Sequence, residues 1–381
     1  MKTQILTRIV AALAALAFTT TSRAGAPPPA EEKPLVQLAI LLDTSNSMDG
    51  LIAQAKTQLW QIVNEFIAAK QDGKTPRVQV ALYEYGNSGL PAQSGHVRLV
   101  APLTDDLDRI SESLFALKTG GGDEYCGWVI RDAARDLAWN ASAKVYKAIF
   151  IAGNEPFTQG PVLYSESCKT AVERGIIVNT IHCGPENDGV GGKWLDGAKL
   201  ADGKFMSING NAQLVRIDAP QDKTIAELNA KLNGTYLAYG VHGAAGVARQ
   251  AQQDANAALA PAAPSVTAER AKTKASGNYS NSAWDLLDAV KEKKLDLAKA
   301  KDAELPEPLR KLAPEKREAF VAEKQKERDE IQVQLRKLTD DRDQFVASKQ
   351  KEQGNEKRLD VAVAGAVREQ AAKKAFVFEK K

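Results

Sequence analysis

Between residue 35 and about residue 240, short apolar runs alternate with amphipathic stretches, and no other feature constrains the fold so tightly. Runs of four to eight residues rich in Val, Ile, Leu and Tyr form strands, whereas apolar residues at three- and four-residue spacing form helices. Strands that alternate with helices must run parallel and be joined by right-handed crossovers, so the expected class is α/β with a doubly wound, mostly parallel sheet. The expected strands lie at 35–42, 78–85, 96–103, 146–152, 175–181 and 204–208. The first is almost free of polar residues, as a central strand covered on both faces should be. Ile52, Ala55, Leu59, Ile62, Val63 and Phe66 mark one face of a helix over 51–69. Further helices are expected at 106–117, 124–138, 165–174 and 222–232.

The flanking segments differ in kind. Lys2 and Arg8 precede an apolar run from Ile9 to Phe18, and Ser22-Arg23-Ala24 then offers small residues for cleavage. Residues 1–24 therefore read as a secretory signal, which gives a periplasmic or secreted product. No other stretch approaches the roughly 18 apolar residues of a membrane span, so no transmembrane segment is expected after cleavage. Residues 25–34, with Pro27-Pro28-Pro29, form a stiff lead-in to the sheet domain at 35–240. Ala, Gln, Asn and Pro dominate 241–278, a partly helical linker. The remainder, 279–381, is an α-helical C-terminal region in which 285–352 carries 17 acidic and 17 basic residues with sparse apolar positions. That charge balance suits a solvated helical appendage or a partner-docking arm.

The whole chain carries 51 Lys and Arg against 48 Asp and Glu, a net charge of +3, so nothing global attracts a phosphate backbone and no nucleic-acid partner is expected. Only three Cys and three His are present, which rules out a dense disulfide framework or several zinc sites. The glycine clusters at 120–122 and 191–192 lack the lysine spacing of a phosphate loop. No nucleophile elbow, His-Glu-x-x-His pair or Cys-x-x-Cys motif occurs either, and a non-enzymatic protein is expected.

Ligands of doubly wound sheets bind beyond the carboxyl ends of the strands. There the first strand runs into Asp43-Thr44-Ser45-Asn46-Ser47-Met48. A carboxylate and two hydroxyls at every second position, held in a turn before a helix, can aim three oxygens at one point, an arrangement suited to a hard cation. The plainer alternative is that Asp43 caps the following helix and the serines bind turn amides. Asp43-x-Ser45-x-Ser47 after an apolar strand resembles the metal-ion-dependent adhesion site of von Willebrand factor A domains, over roughly 35–240. The resemblance implies Mg2+, or Mn2+ or Ca2+, as the cofactor, and a protein partner that completes the ion's coordination with an Asp or Glu carboxylate. The family's second element is a Thr after two glycines. In Thr119-Gly120-Gly121-Gly122-Asp123-Glu124 it is Asp123 that takes this position, so Asp123 joins Asp43, Ser45 and Ser47 as an expected ligand. The third element is an Asp after the fourth strand. Gly153 stands there, which leaves Asn154, Glu155 or a water to supply an oxygen, or a vestigial site.

Two functions follow as expectations. One is an exported binding protein that holds a protein partner through the ion. The other is an envelope scaffold whose metal site is vestigial and whose C-terminal helical arm does the binding. Cys126, Cys168 and Cys183 all fall towards the rim that carries the metal loop, and the topology is compatible with a Cys168–Cys183 disulfide or with three separate thiols.

Overall fold

The computed structural model describes residues 33–209, 217–350 and 359–378. The expected signal at 1–24 and most of the lead-in lie outside the described residues. The strands are β1 (Leu35–Asp43), β2 (Ala69–Lys70), β3 (Arg77–Tyr85), β4 (Val97–Thr104), β5 (Tyr146–Gly153), β6 (Ile177–Cys183), β7 (Phe205–Ile208) and β8 (Val377–Phe378). Six of them form one sheet in the order β4-β3-β1-β5-β6-β7, and β2 pairs with β8 apart from it. This is an α/β fold with a mostly parallel, doubly wound sheet, followed in sequence by a helical C-terminal region. β1 lies between β3 and β5, parallel to both, as its unbroken apolar character requires. β4 alone runs antiparallel, on β3. The 86–96 connection is short and contains no α-helix, so it returns the chain beside β3 instead of crossing over.

Alternation along β1 divides the core. Val36, Leu38 and Leu42 face the side covered by α1 (Asp49–Asn64) and α2 (Leu107–Ala116). Ala39 and Leu41 face the side covered by α3 (Cys126–Asp136) and α4 (Tyr164–Glu173). Two short helices, α5 (Glu186–Gly191) and α6 (Trp194–Leu200), fill the connection from β6 to β7, where the sequence suggested none. Trp194 is fully buried there against Phe157, with ring centroids 4.8 Å apart.

The C-terminal part departs most from expectation. After α7 (Asp222–Asn233), residues 241–278 hold two packed helices, α8 (Gly243–Leu259) and α9 (Ala263–Lys274). These lie against each other and against α2 and α1 respectively. The short helices α10 (Leu286–Lys291) and α11 (Glu307–Arg310) lead to the 37-residue α12 (Pro314–Gln350), which packs along α7 and α9. Its charges are not all solvated. Arg328 is buried and donates to Asp285 Oδ2 at 2.7 Å and to the Thr235 carbonyl at 2.8 Å. Arg342 is buried as well and donates to Asp222 Oδ1 at 2.6 Å. On α9, Arg270 joins Asp108 at 2.6 Å and sits 4.7 Å from the Trp60 ring. The expected solvated appendage is thus a helix fastened to the body by buried guanidinium groups. Their planar forks suit them to bidentate contacts away from water.

The last helix, α13 (Leu359–Ala372), returns to the sheet domain and packs on α1. Gln370, 1% exposed, accepts from Tyr146 Oη at 2.8 Å and donates to Asn179 Oδ1 at 2.6 Å. The Lys374 carbonyl accepts from Gln71 at 2.6 Å, and β8 then pairs with β2. One layer over the sheet is therefore completed by the far end of the chain.

Candidate functional site

β1 ends at Asp43, directly opposite Tyr85 of β3. The chain then leaves the sheet because the Thr44 amide and hydroxyl both turn back to the Tyr85 carbonyl, at 2.8 and 3.1 Å. Ser45 is extended, Asn46–Met48 make one tight turn, and α1 starts at Asp49. Asp43 Oδ1 accepts from the Ser45 amide at 2.7 Å, a local turn bond of the plainer kind. The second oxygen behaves differently. Asp43 is fully buried, and its Oδ2 accepts from no amide or hydroxyl, while the Glu124 carboxyl bonds to the same side chain. An orphaned buried carboxylate oxygen is costly unless something is held there. The two serine hydroxyls lie 3.0 Å apart, and Asn154 Nδ2 reaches Ser47 Oγ at 3.2 Å. The Ser45 and Ser47 hydroxyls thus sit together beside the turn that Asp43 closes.

The second loop is stitched to the first by Gly120 N to Thr44 O at 2.9 Å and to the β3 exit by Ser88 N to Gly121 O at 2.7 Å. This brings in Glu124 and leaves Asp123 out. Asp123 is exposed and accepts from Tyr125 Oη at 2.9 Å, while Thr119 donates to Asp49 Oδ1 at 2.6 Å. Glu124 is 5% exposed, its carboxyl against that of Asp43. The loop crosses Gly86 in the left-handed region at φ 79°. A β-carbon there would come within 2.7 Å of Asp43 Oδ1 and 2.9 Å of Glu124 Cγ, so only glycine admits both acids. A signal for Glu124 was present. From Asp123 to Cys126 the chain alternates outward and inward before α3 begins, and Glu124 shares the inward parity of buried Cys126.

At the end of β5, Gly153 leaves no room for a side chain. A β-carbon on Gly153 would stand 2.5 Å from Tyr85 Oη and 3.1 Å from Asp43 Oδ2. Tyr85 Oη fills that space while donating to the Ala152 carbonyl at 3.0 Å. Asp43 and Glu124 thus bring two carboxyls into one buried pocket.

Burial raises the Asp43 carboxyl above its usual range, while contacts with Glu124 and Ser45 oppose the rise. Glu124 is pushed up to about 9, first by burial and then by the contact with Asp43 and its charge. Glu124 therefore favours its protonated form at neutral pH. A carboxyl whose folded value lies above its unfolded value stabilises the fold fully at low pH and loses that contribution as pH rises through the folded value. The protein is expected to lose stability between about pH 4.5 and about pH 9. Thermal melts across that range should show a fall of several degrees that Glu124→Gln removes; parallel curves for the two proteins would contradict this assignment.

The donors suit a hard cation: one orphaned carboxylate oxygen, a second carboxyl and two hydroxyls, all oxygen. Among the described residues no three His, Cys, Asp or Glu side chains gather closely enough to hold a metal by themselves, so the serine hydroxyls are needed. Beside Ser47 and Asn154 opens a cleft of about 490 Å3, floored by Met48, Leu51 and Ile208.

The expected cysteine pairing is corrected. All three thiols are free: Cys126 and Cys168 are buried and Cys183 is half-buried at the cleft. Cys168 faces the α6 side, 3.5 Å from the Gly197 carbonyl, whereas Cys183 packs towards the α1 side, so the sheet separates them. Burial pushes the Cys168 thiol up to about 12 and raises the other two as well, the reverse of an activated nucleophile.

No family model and no curated protein matches the sequence. Solved structures do align. The conserved hypothetical protein BatB from Bacteroides thetaiotaomicron is 18% identical, with 46% of this chain and 90% of that chain covered and a TM-score of 0.34. The SpRpn10 VWA domain is also 18% identical, with 46% and 88% covered and a TM-score of 0.34. Proximal thread matrix protein 1 from the mussel byssus, with a zinc-occupied MIDAS motif, is 13% identical, with 46% and 42% covered and a TM-score of 0.34. Among the described residues no helix is long and apolar enough to cross a membrane.

Proposed function

We propose that the rim where β1 and β5 end holds a divalent cation, Mg2+ first and Mn2+ or Ca2+ as substitutes. The ligands are Asp43, Ser45, Ser47 and Glu124, and the face they form binds a protein partner that offers an Asp or Glu carboxylate. The carrying observation is the buried Asp43 Oδ2, which accepts from no amide or hydroxyl, with the buried Glu124 carboxyl against the same side chain. A bound divalent ion supplies positive charge to two buried carboxylates and to the incoming acid. Asp43 and Glu124 together carry two negative charges, which a divalent ion balances, so an acidic partner meets no net repulsion from the ligand set. The protein's own part is to preset the two loops through the Thr44, Gly120 and Ser88 backbone bonds. Asp123, bound to Tyr125, belongs to the rim in this reading and not to the ligand set.

Residues 1–24 would direct export, which puts this face in the periplasm or outside the cell, with no enzymatic role. A scaffold that binds through its helical arm is less well supported, because Ile331, Leu335, Arg328 and Arg342 of α12 are already buried against the body. Calorimetry with Mg2+ should give a saturable isotherm for the wild type and none for Asp43→Ala. Identical heats for the two proteins would remove the cation from this account.

A further inference from the structure

His182, at the carboxyl end of β6, is 3% exposed, and neither of its ring nitrogens has a hydrogen-bond partner. The ring packs against Trp194 of α6 with centroids 5.7 Å apart. α5 and the turn before it sit down on the same side chain through two glycines. A β-carbon on Gly189 would stand 2.9 Å from His182 Cδ2 and 2.8 Å from Phe205 Cζ, and one on Gly184 would stand 2.9 Å from His182 Nε2. This seat suits a neutral ring, which leaves one N–H unpaired, whereas an imidazolium would leave two together with a buried charge. The segment also walls the cleft, since Cys183, Gly184, Pro185 and Glu186 line it. Both of its ends are jointed. Gly184 precedes α5; Gly191 ends it, and Gly192 and Lys193 follow, the latter in the left-handed region at φ 72°. Ser207 Oγ pins the first joint at the Gly184 carbonyl, 2.7 Å away, and the Phe157 amide pins the second at the Gly192 carbonyl, 2.8 Å away. Beyond that joint α6 has its own anchor. Trp194 Nε1 donates to the Glu155 carbonyl at 2.8 Å, and the Trp194 carbonyl accepts from Thr180 Oγ1 at 2.7 Å. The joints therefore let α5 move while α6 stays.

We infer that α5 is an acid-released flap: when His182 takes up a proton, the helix lifts from β6 and the cleft wall that it forms opens. The flap needs no ion at the β1 rim. Burial holds the imidazole below its usual range, which favours the neutral ring and the seated helix. Asp188 of α5 is the charge that acts on the ring, and it favours the proton. Glu186 of α5 lines the cleft instead. α6 turns Trp194 to the ring, with Asp196 engaged by Tyr164 Oη at 2.6 Å and Lys199 in its last turn. β7 carries no charged residue, and β5 places Gly153 opposite His182. A histidine whose folded value is depressed contributes its stability above the unfolded value of about 6.5 and loses it as pH falls, so the flap is seated at neutral pH and released in acid.

Hydrogen exchange followed by mass spectrometry on the full chain tests this, with His182→Phe measured at the same pH so that intrinsic rates cancel. At about pH 7.5 the two proteins should exchange over 186–192 within about twofold of each other, and at about pH 5 the wild type should exchange there at least about fivefold faster. Peptides from α6 and β1 should stay matched at both. Asp188→Asn, which removes the charge that favours the proton, should move the release to lower pH. The wild type alone gives a second reading that needs no variant to fold: after division by intrinsic rates, protection over 186–192 should fall at least about fivefold relative to α6 between the two pH values. Equal protection over 186–192 at both pH values, or a loss that spreads equally through α6 and β1, overturns the flap.

Discussion

Removing the residues after Gln350 is expected to unfold the sheet domain, not to trim an accessory tail. α13 and the segment behind it bury Val363, Ala366, Val367, Ala371 and Phe376, each at most 5% exposed. Large aliphatic and aromatic side chains contribute about 1.5–3 kcal/mol each when buried, so this set amounts to something on the order of 5–10 kcal/mol. Typical domains are stable by only about 5–15 kcal/mol. The same deletion strips Gln370 from Asn179 and Tyr146, whose buried polar groups then lose a partner. The truncated chain should lack a cooperative melt by circular dichroism and should be digested rapidly by protease. A truncated protein that melts cooperatively within a few degrees of the full chain would show that α13 is dispensable.

Arg328→Ala should cost nearly as much, from one side chain in the middle of a charged helix. Arg328 bonds Asp285, itself fully buried, together with Asp288 and Thr235, and its guanidinium lies 4.0 Å from the Tyr236 ring. Asp285 has local duties as well, accepting the Leu237 amide at 2.8 Å and the Asp288 amide at 3.0 Å. Removing the cation leaves that carboxylate buried without its counter-charge, a loss of about 3–5 kcal/mol. At about 2.1 cal/mol/K of unfolding entropy per residue, each kcal/mol lowers the melting temperature of a chain of this size by roughly 1–1.5 °C, so a fall of about 5 °C is expected. The double variant Arg328→Met/Asp285→Asn, which removes both charges, should recover more than half of the loss. A single variant that melts like the wild type would mean that α12 is held by its apolar contacts alone.

Much of the sheet could be read from the sequence because its inner strands, β1, β3, β5 and β6, are largely buried on both faces. Their apolar runs stand out from Leu35 to Ile208, and five of the six run in the parallel sense that strand–helix alternation requires. The first loop was legible for a related reason, since Asp43, Ser45 and Ser47 lie where a central strand must end. Long-range closure was not. Nothing local in 359–378 states that it seats against Tyr146 and Asn179, because the partner lies about 190–220 residues away in sequence. The charge of α12 misled for a physical reason: helix composition is dominated by its solvated side, and a few inward arginines cannot be told from outward ones without knowing where Asp285 and Asp222 stand. Glu124, the inward-facing acid, was not among the expected residues. Counting from the glycines points to Asp123, whereas the extended alternation into α3 turns Glu124 inward.

That one-residue difference also gives the most direct test of the cation site. Mg2+ titrations by calorimetry on the wild type, Glu124→Gln and Asp123→Asn separate an inward ligand from a rim residue. The expected result is affinity lowered at least about tenfold, or about 1.4 kcal/mol, in Glu124→Gln, and unchanged within a factor of two in Asp123→Asn. Loss of affinity in Asp123→Asn with Glu124→Gln binding as well as the wild type would contradict the site described above.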